Sequence, residues 1–261
     1  MRTRCPAATG RGPDPSTRAP AGSGRRGYPD RSRRPRRSFQ GDAIERCETE
    51  PVHILALSDV VDEAVHAPTA RARFGRVDLV LGCGDLPYDY LDFVATELSV
   101  PLYAVHGNHD VPPEMLDDPT IGDWWRGIDL HGRTVAVNGL LVAGLGGSRR
   151  YSDGPYQLTE GDMWLAMVGM IPSLLANKLR RGRYLDVLVT HAPPRGIHDL
   201  PDHAHRGFGA LRWFLRAFRP RYHLHGHSHV YDARTVTRTQ YYDTIVLNTF
   251  GAREIDIDAF K

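Results

Sequence analysis

Cysteine is scarce in this chain: Cys5, Cys47 and Cys83 are the three in 261 residues. An odd count, with two of the three in a polar leader, does not build a disulfide framework. Long hydrophobic runs are missing as well. The longest apolar candidate, Trp164 to Leu175, is broken by Pro172 and falls short of the roughly 18 residues a membrane span needs. No internal repeat and no linker to a second domain is visible, so neither a repeat array nor a two-domain chain is expected. At 41% hydrophobic and 25% charged residues the balance is that of a globular protein large enough for one sizeable core. A cytoplasmic location without membrane contact is the default expectation.

Aliphatic residues are nearly absent from the start of the chain. The first 40 residues carry eleven Arg against two Asp (Asp14 and Asp30), a net of +9; since the whole chain is +2, the remaining 221 residues carry −7. Such a segment cannot bury enough apolar surface to offset the entropy of ordering it. Residues 1–50 are therefore read as a disordered Arg/Pro-rich tail and 51–261 as the folded domain. Arg36-Arg37-Ser38-Phe39 is faintly like a twin-arginine export signal, but charged residues follow it where an apolar segment is required, so export is not expected. Nucleic acid would be met only through this tail, by phosphate contacts, with Tyr28 and Phe39 the aromatics available to stack on bases. The simpler reading is a solvated leader of the kind an upstream start adds.

In the folded part, apolar runs alternate with helical patterns. Strands are expected at Val52 to Leu57, Val77 to Leu81 and Leu102 to Val105, with helices over about 62–74 (interrupted at Pro68, or looped there) and 88–98. Residues 111–130, rich in Pro, Asp and Trp, read as a loop with one helical turn at most. Asn138-Gly139 between two apolar runs signals a hairpin. Thr159 is placed to cap a helix running to about Arg181. A strand at Leu185 to Val189, an amphipathic helix over about 208–218, a strand at Tyr222 to His225 and two or three closing strands complete the pattern. Together these suggest an α/β domain of two packed mixed sheets with helices outside.

Five polar clusters stand at the carboxyl ends of apolar runs: Asp59, Gly84-Asp85, Gly107-Asn108-His109-Asp110, His191 and His227-Ser228-His229. In sheets with parallel strands these ends share one edge. That edge would gather carboxylates, an amide and several imidazoles, a donor set for divalent Mn, Fe or Zn with too many ligands for one four-coordinate ion. A dinuclear site fits the count, and two metals roughly 3.5–4 Å apart can clamp the attacking and leaving oxygens of a phosphoryl transfer. Gly107 is expected to let the chain turn sharply after its strand. Cys83, between glycines, reads as a small packing residue, and His225 as a partner behind the ligands or an ordinary buried histidine.

In order and spacing these motifs resemble those of the calcineurin-like metallophosphoesterases, over about Val52 to Phe250. The resemblance implies a four-layer αββα sandwich and metal-dependent hydrolysis of a phosphate mono- or diester by a metal-bound hydroxide. It implies that Asp85 bridges two divalent ions, that Asp59 and His229 bind the first, and that Asn108, His191 and His227 bind the second. His109 would donate to the phosphate or protonate the leaving group, and Asp110 would orient His109 or the nearby backbone. One departure stands out: the family pattern puts a histidine where this chain has Val61. Asp62, Glu63 or water would have to fill that position. Arg149, Arg150, His205 and Arg206 are candidates for contact with the substrate phosphate. Two rivals remain: a non-catalytic protein-binding scaffold on the same fold with a weakened metal site, and a nucleic-acid-processing enzyme anchored by its tail.

Overall fold

The structure is a computed structural model and describes residues 50–258. The expectations for the leader, including its disorder, Cys5, Cys47 and the aromatics Tyr28 and Phe39, lie outside the described residues.

The first half of the domain alternates strand and helix: β1 (Pro51–Ser58), α1 (Ala70–Phe74), β2 (Leu79–Gly82), α2 (Tyr88–Leu98), β3 (Leu102–Ala104) and α3 (Pro119–Ile128). A hairpin follows, β4 (Thr134–Val137) and β5 (Leu140–Leu145), then two short strands, β6 (Ser148–Arg149) and β7 (Gln157–Leu158), and the long α4 (Glu160–Arg181). The chain continues through β8 (Val187–Thr190), α5 (Gly209–Phe218), β9 (Tyr222–His225), β10 (Arg238–Tyr241), β11 (Thr244–Asn248) and β12 (Gly251–Asp258).

Two large mixed sheets result, in the orders β12-β1-β2-β3 and β10-β11-β9-β8-β5-β4. β1, β2 and β3 run parallel, as do β5, β8, β9 and β11, while β12, β4 and β10 are antiparallel edges. The apolar residues sort into three cores that define four layers. Ile54, Ala56, Leu79 and Leu81 of the first sheet meet Val142, Val187, Val189 and Leu224 of the second. Leu55, Leu57 and Val80, on the other face of the first sheet, pack under α1, α2 and Trp125 of α3. Leu141, Ala143 and Leu188 pack under α4 and α5. Strands buried on both faces read as continuous apolar runs, which is why β1, β2 and β8 are recognisable in the sequence.

Local chemistry places the boundaries. Asn138 and Gly139 both take positive φ (49° and 79°), the hairpin turn their sequence requires. Thr159 and Asp162 form a reciprocal capping box that starts α4, and Gly182 at φ 74° ends it. The structure differs from expectation at two places. The helix read over about 62–74 shrinks to Ala70–Phe74, because the Asp62 carboxylate accepts from the Ala64 and Val65 amides and winds the preceding residues into turns. The loop read over 111–130 contains a ten-residue helix, α3. Asp118 caps it by accepting from the Thr120 amide, and Pro119 occupies its first position, where proline is tolerated. Among the described residues no helix is long and apolar enough to cross a membrane.

Candidate active site

Both sheets end their parallel strands at one edge, and contacts between sheets gather the polar clusters there. Asp59 follows β1 at φ 67° and Asp85 follows β2 at φ 56°, left-handed conformations that turn each chain sharply at the strand end. Two glycines are required by closeness rather than by a turn. A Cβ on Gly107 would lie 2.0 Å from Asp85 Oδ1, and one on Gly226 would lie 1.7 Å from Ser58 Oγ. Gly107 itself is not among the residues of positive φ. The turn expected of it is therefore not the reason for glycine; room for Asp85 is.

Asp85, His191 and His227 offer ligand atoms that all lie within 4.8 Å of one another. The fully buried His191 ring donates from Nδ1 to the Cys83 carbonyl (2.8 Å) and turns Nε2 to Asn108 Oδ1 (3.0 Å) and Asp85 Oδ2 (3.3 Å). His227 donates from Nε2 to the Ala204 carbonyl (2.9 Å), which leaves Nδ1 as its donor atom. One ring nitrogen fixed by a backbone carbonyl and the other turned into the site is how metal-binding imidazoles are commonly oriented. With Asp85 and the Asn108 amide oxygen, the set mixes oxygen and nitrogen donors and fits a divalent transition metal.

The electrostatics of these groups diverge. Burial pushes the Asp85 carboxyl up, but His191 and the His109 amide (2.8 Å from Oδ1) outweigh it and hold the pKa at about 2. Burial pushes His191 down, and the Asp85 and Asp59 charges reverse that, raising it to about 9. His227, its ring 4.8 Å from that of His191, is lowered to about 3 by burial with His191 adding to the effect. Asp59 is held below the usual carboxylate range: burial raises it, and His229, His191 and Ser58 more than compensate.

Around Asp59 the site is looser. Its carboxylate accepts from the His227 amide (3.0 and 3.1 Å), and His229 Nε2 stands 3.5 Å away. His229 is itself partly exposed, with Nδ1 3.0 Å from the Tyr231 hydroxyl. Val61 is exposed, and the Asp62 Oδ1 atom faces its own loop. His109 is exposed beside Asp85. Asp110 accepts from the Gly107, Asp85 and Leu86 amides (2.8, 3.2 and 3.0 Å), so of its two expected roles the structure displays the backbone one. Burial raises its pKa to about 6 against the pull of the Gly107 amide.

The substrate candidates separate. The His205 ring lies 5.0 Å from that of His227, tilted by 35°, and so stands at the site, with Nδ1 against the Asp202 carboxylate. Arg149 pairs with Glu160 and lies over the Phe208 ring, while Arg150 reaches Asp162 at 3.8 Å. Neither contacts the gathered ligands, and Arg206 is half-buried next to Gly207.

Of the supporting residues, His225 was an expected candidate and Tyr151, His198 and His106 were not expected in these roles. Tyr151 accepts from Asn108 Nδ2 (3.0 Å), across 43 residues. Beneath Gly226, His225 donates from Nδ1 to the Gly226 carbonyl, so its Nε2 must accept from His198 Nδ1 (2.9 Å), and His198 Nε2 then accepts from Thr239 (2.8 Å). His106 lies stacked between Trp125 and Tyr156 and donates to Tyr88. Only His225 carried a sequence signal, its place beside the Gly-His-Ser-His motif. Cys83 is buried and its thiol is pushed up to about 12 by that burial, as befits packing rather than attack.

A sequence profile of the calcineurin-like phosphoesterases matches residues 46–231. No curated protein matches the chain. Among solved structures, TT1561 of Thermus thermophilus aligns at a TM-score of 0.54 with 15% identity, over 77% of this chain and 90% of that one. A second aligns at 0.56 with 16% identity, over 79% and 95%. At such identities these likenesses speak for the fold.

Proposed function

The chain belongs to the calcineurin-like phosphoesterases, a family of divalent-metal-binding hydrolases, and from that premise we propose that it hydrolyses a phosphate mono- or diester at the edge shared by its two sheets. The observation that carries this reading is the buried convergence of Asp85, His191 and His227 within 4.8 Å, with Asn108 beside them. Asp85 would bridge two divalent ions (Mn, Fe or Zn), with Asp59 and His229 on the first and Asn108, His191 and His227 on the second. Bound metals would supply a nucleophile from water near neutral pH and would offset charge on the phosphate. His109, exposed beside Asp85, donates to the phosphate or protonates the leaving oxygen. Asp110 holds the Gly107 and Asp85 amides, and through them sets where His109 and Asp85 stand. His205 is the better-placed of the candidate phosphate contacts.

We further propose that residues 51–261 carry this activity in the cytoplasm and that the Arg-rich leader offers phosphate contacts at most. The scaffold reading rests on one observation: at position 61 an exposed valine takes the place of an imidazole, and Asp62 faces its own loop. A metal-supplemented hydrolysis screen of monoesters and diesters separates the two. Turnover that depends on added metal and disappears in Asp85→Asn is expected; metal bound in full with no turnover on any ester would favour the scaffold.

A further inference from the structure

A cavity of about 520 Å³ shares walls with the candidate active site. Asp85 and His109 line it together with the apolar side chains of Leu86, Val111, Leu116 and Ile121. Val111, Leu116 and Ile121 belong to none of the three cores, so the fold itself does not use them. Apolar side chains left over around a hollow of this size are the usual lining of a small-molecule site. The walls are held from behind. The Tyr88 hydroxyl donates to the Val111 carbonyl (2.7 Å) and accepts from His106 Nε2 (2.9 Å), and the Asp118 cap starts the helix that carries Ile121. The charges around the cavity are of one sign. Asp89 lines it, and Asp92 and Asp118 line an adjoining hollow that shares Tyr88, Asp89 and Ile121 with it. Among the described residues that line either hollow there is no Lys or Arg.

We infer that this cavity receives the leaving group of the substrate, and that this group is uncharged, apolar and large enough to include an aryl ring. The inference rests on the hydrolytic reading of the site and names its substrate class: phosphate esters of phenols and other apolar alcohols, as against nucleic acid and nucleotides with further phosphates. Place and charge select that occupant. In a phosphate ester the organic group is bonded to the leaving oxygen, so it begins beside the acid that protonates that oxygen. His109, assigned that proton, lines the cavity. In the reaction the oxygen of water bonds to phosphorus. The bond from phosphorus to the leaving oxygen breaks with its electron pair on that oxygen, which takes the His109 proton. The product released against Leu86, Val111, Leu116 and Ile121 is then a neutral phenol or alcohol. A leaving group with an anion of its own would stand near Asp89, Asp92 and Asp118 with no Lys or Arg in the lining to pair with.

Phosphonates test it, because their carbon–phosphorus bond stays intact and binding is read whether or not the protein turns over. The manganese-loaded full chain is titrated in a calorimeter with methylphosphonate, phenylphosphonate and 4-carboxyphenylphosphonate. Phenylphosphonate is expected to bind about tenfold more tightly than methylphosphonate, and the carboxylated ring no more tightly than methylphosphonate. Leu116→Asp and, separately, Ile121→Asp should bring the phenyl-to-methyl ratio close to one with unchanged far-UV circular dichroism. Asp89→Arg should strengthen the carboxylated ligand alone, by about threefold or more at low salt and less at high salt. Equal affinity for phenyl and methyl in wild type, a preference that survives both aspartate changes, or a carboxylated ring bound as well as phenyl overturns the inference. Ester hydrolysis without any phenyl preference would sink the cavity's role and leave the hydrolytic reading standing. A phenyl preference with no turnover of any ester would sink that reading, and the leaving-group role with it.

Discussion

Asp85, Asn108, His191 and His227 make a closed half of the site; Asp59, His229 and Val61 make an open one. In the closed half every side chain is held from behind. The His109 amide holds Asp85, the Cys83 carbonyl holds His191, Tyr151 holds Asn108 and the Ala204 carbonyl holds His227. In the open half Asp59 is held by the His227 amide, but His229 is 37% exposed at its side chain and Val61 contributes no donor atom. Preorganised donors lose little freedom on binding an ion, whereas an exposed imidazole must be ordered and a missing one replaced. With Asp85 proposed as common to both, the two halves are therefore expected to bind metal with unequal strength.

The largest effect should come from the shared residue. Asp85→Asn keeps the shape and removes the charge that would offset two close cations, so it is expected to retain at most one metal by elemental analysis and to show no measurable turnover. Full occupancy of both positions would remove Asp85 from the bridging role and with it the link between the halves. Next is His109→Ala. A proton or hydrogen bond given only in the transition state is worth about 10²–10⁴-fold in kcat. Metal content should stay at the wild-type level, and loss of an ion would move His109 into the ligand set.

The pH dependence of stability probes the histidines packed around the site rather than in it. Burial lowers His106 and His225 to about 3 and His198 to about 4. The unfolded chain takes up these protons below its ordinary value of about 6.5, while the folded chain does not until pH 3 to 4. Their stabilisation is thus complete above about pH 6.5 and is lost as pH falls. His191, raised to about 9, acts in the opposite sense, stabilising fully below pH 6.5 and losing that contribution as pH rises through 9. Thermal unfolding of metal-free protein should show a midpoint that drops steadily from about pH 7 to about pH 5. A flat midpoint over that range would mean these rings are protonated or exposed in the folded state.

Most of the closed half was legible in the sequence because its residues come soon after buried strands, where an apolar run ends in polar residues. Asp85, Asn108 and His191 follow β2, β3 and β8 within a few positions, and the parallel pairing of those strands does the rest. What supports them was not legible. Tyr151 reaches Asn108 from a loop between short strands, and His198 reaches His225 across 27 residues, contacts that no local pattern encodes. The same limit applies to the fold. β12 was readable only as an optional last strand of the closing set, and its pairing along the whole of β1, which closes the first sheet, has no local signal. α3 was hidden because proline, glycine and aspartate read as loop, although Asp118-Pro119 is also a helix start.

The inequality of the two halves is tested most directly by titrating metal-free wild type and Val61→His with Mn²⁺ in a calorimeter. Wild type should bind in two unequal steps, tight then weak. Val61→His should strengthen only the weak step, by about tenfold or ~1.4 kcal/mol. Two equally tight steps in wild type, or a histidine at position 61 that changes neither, would contradict the account.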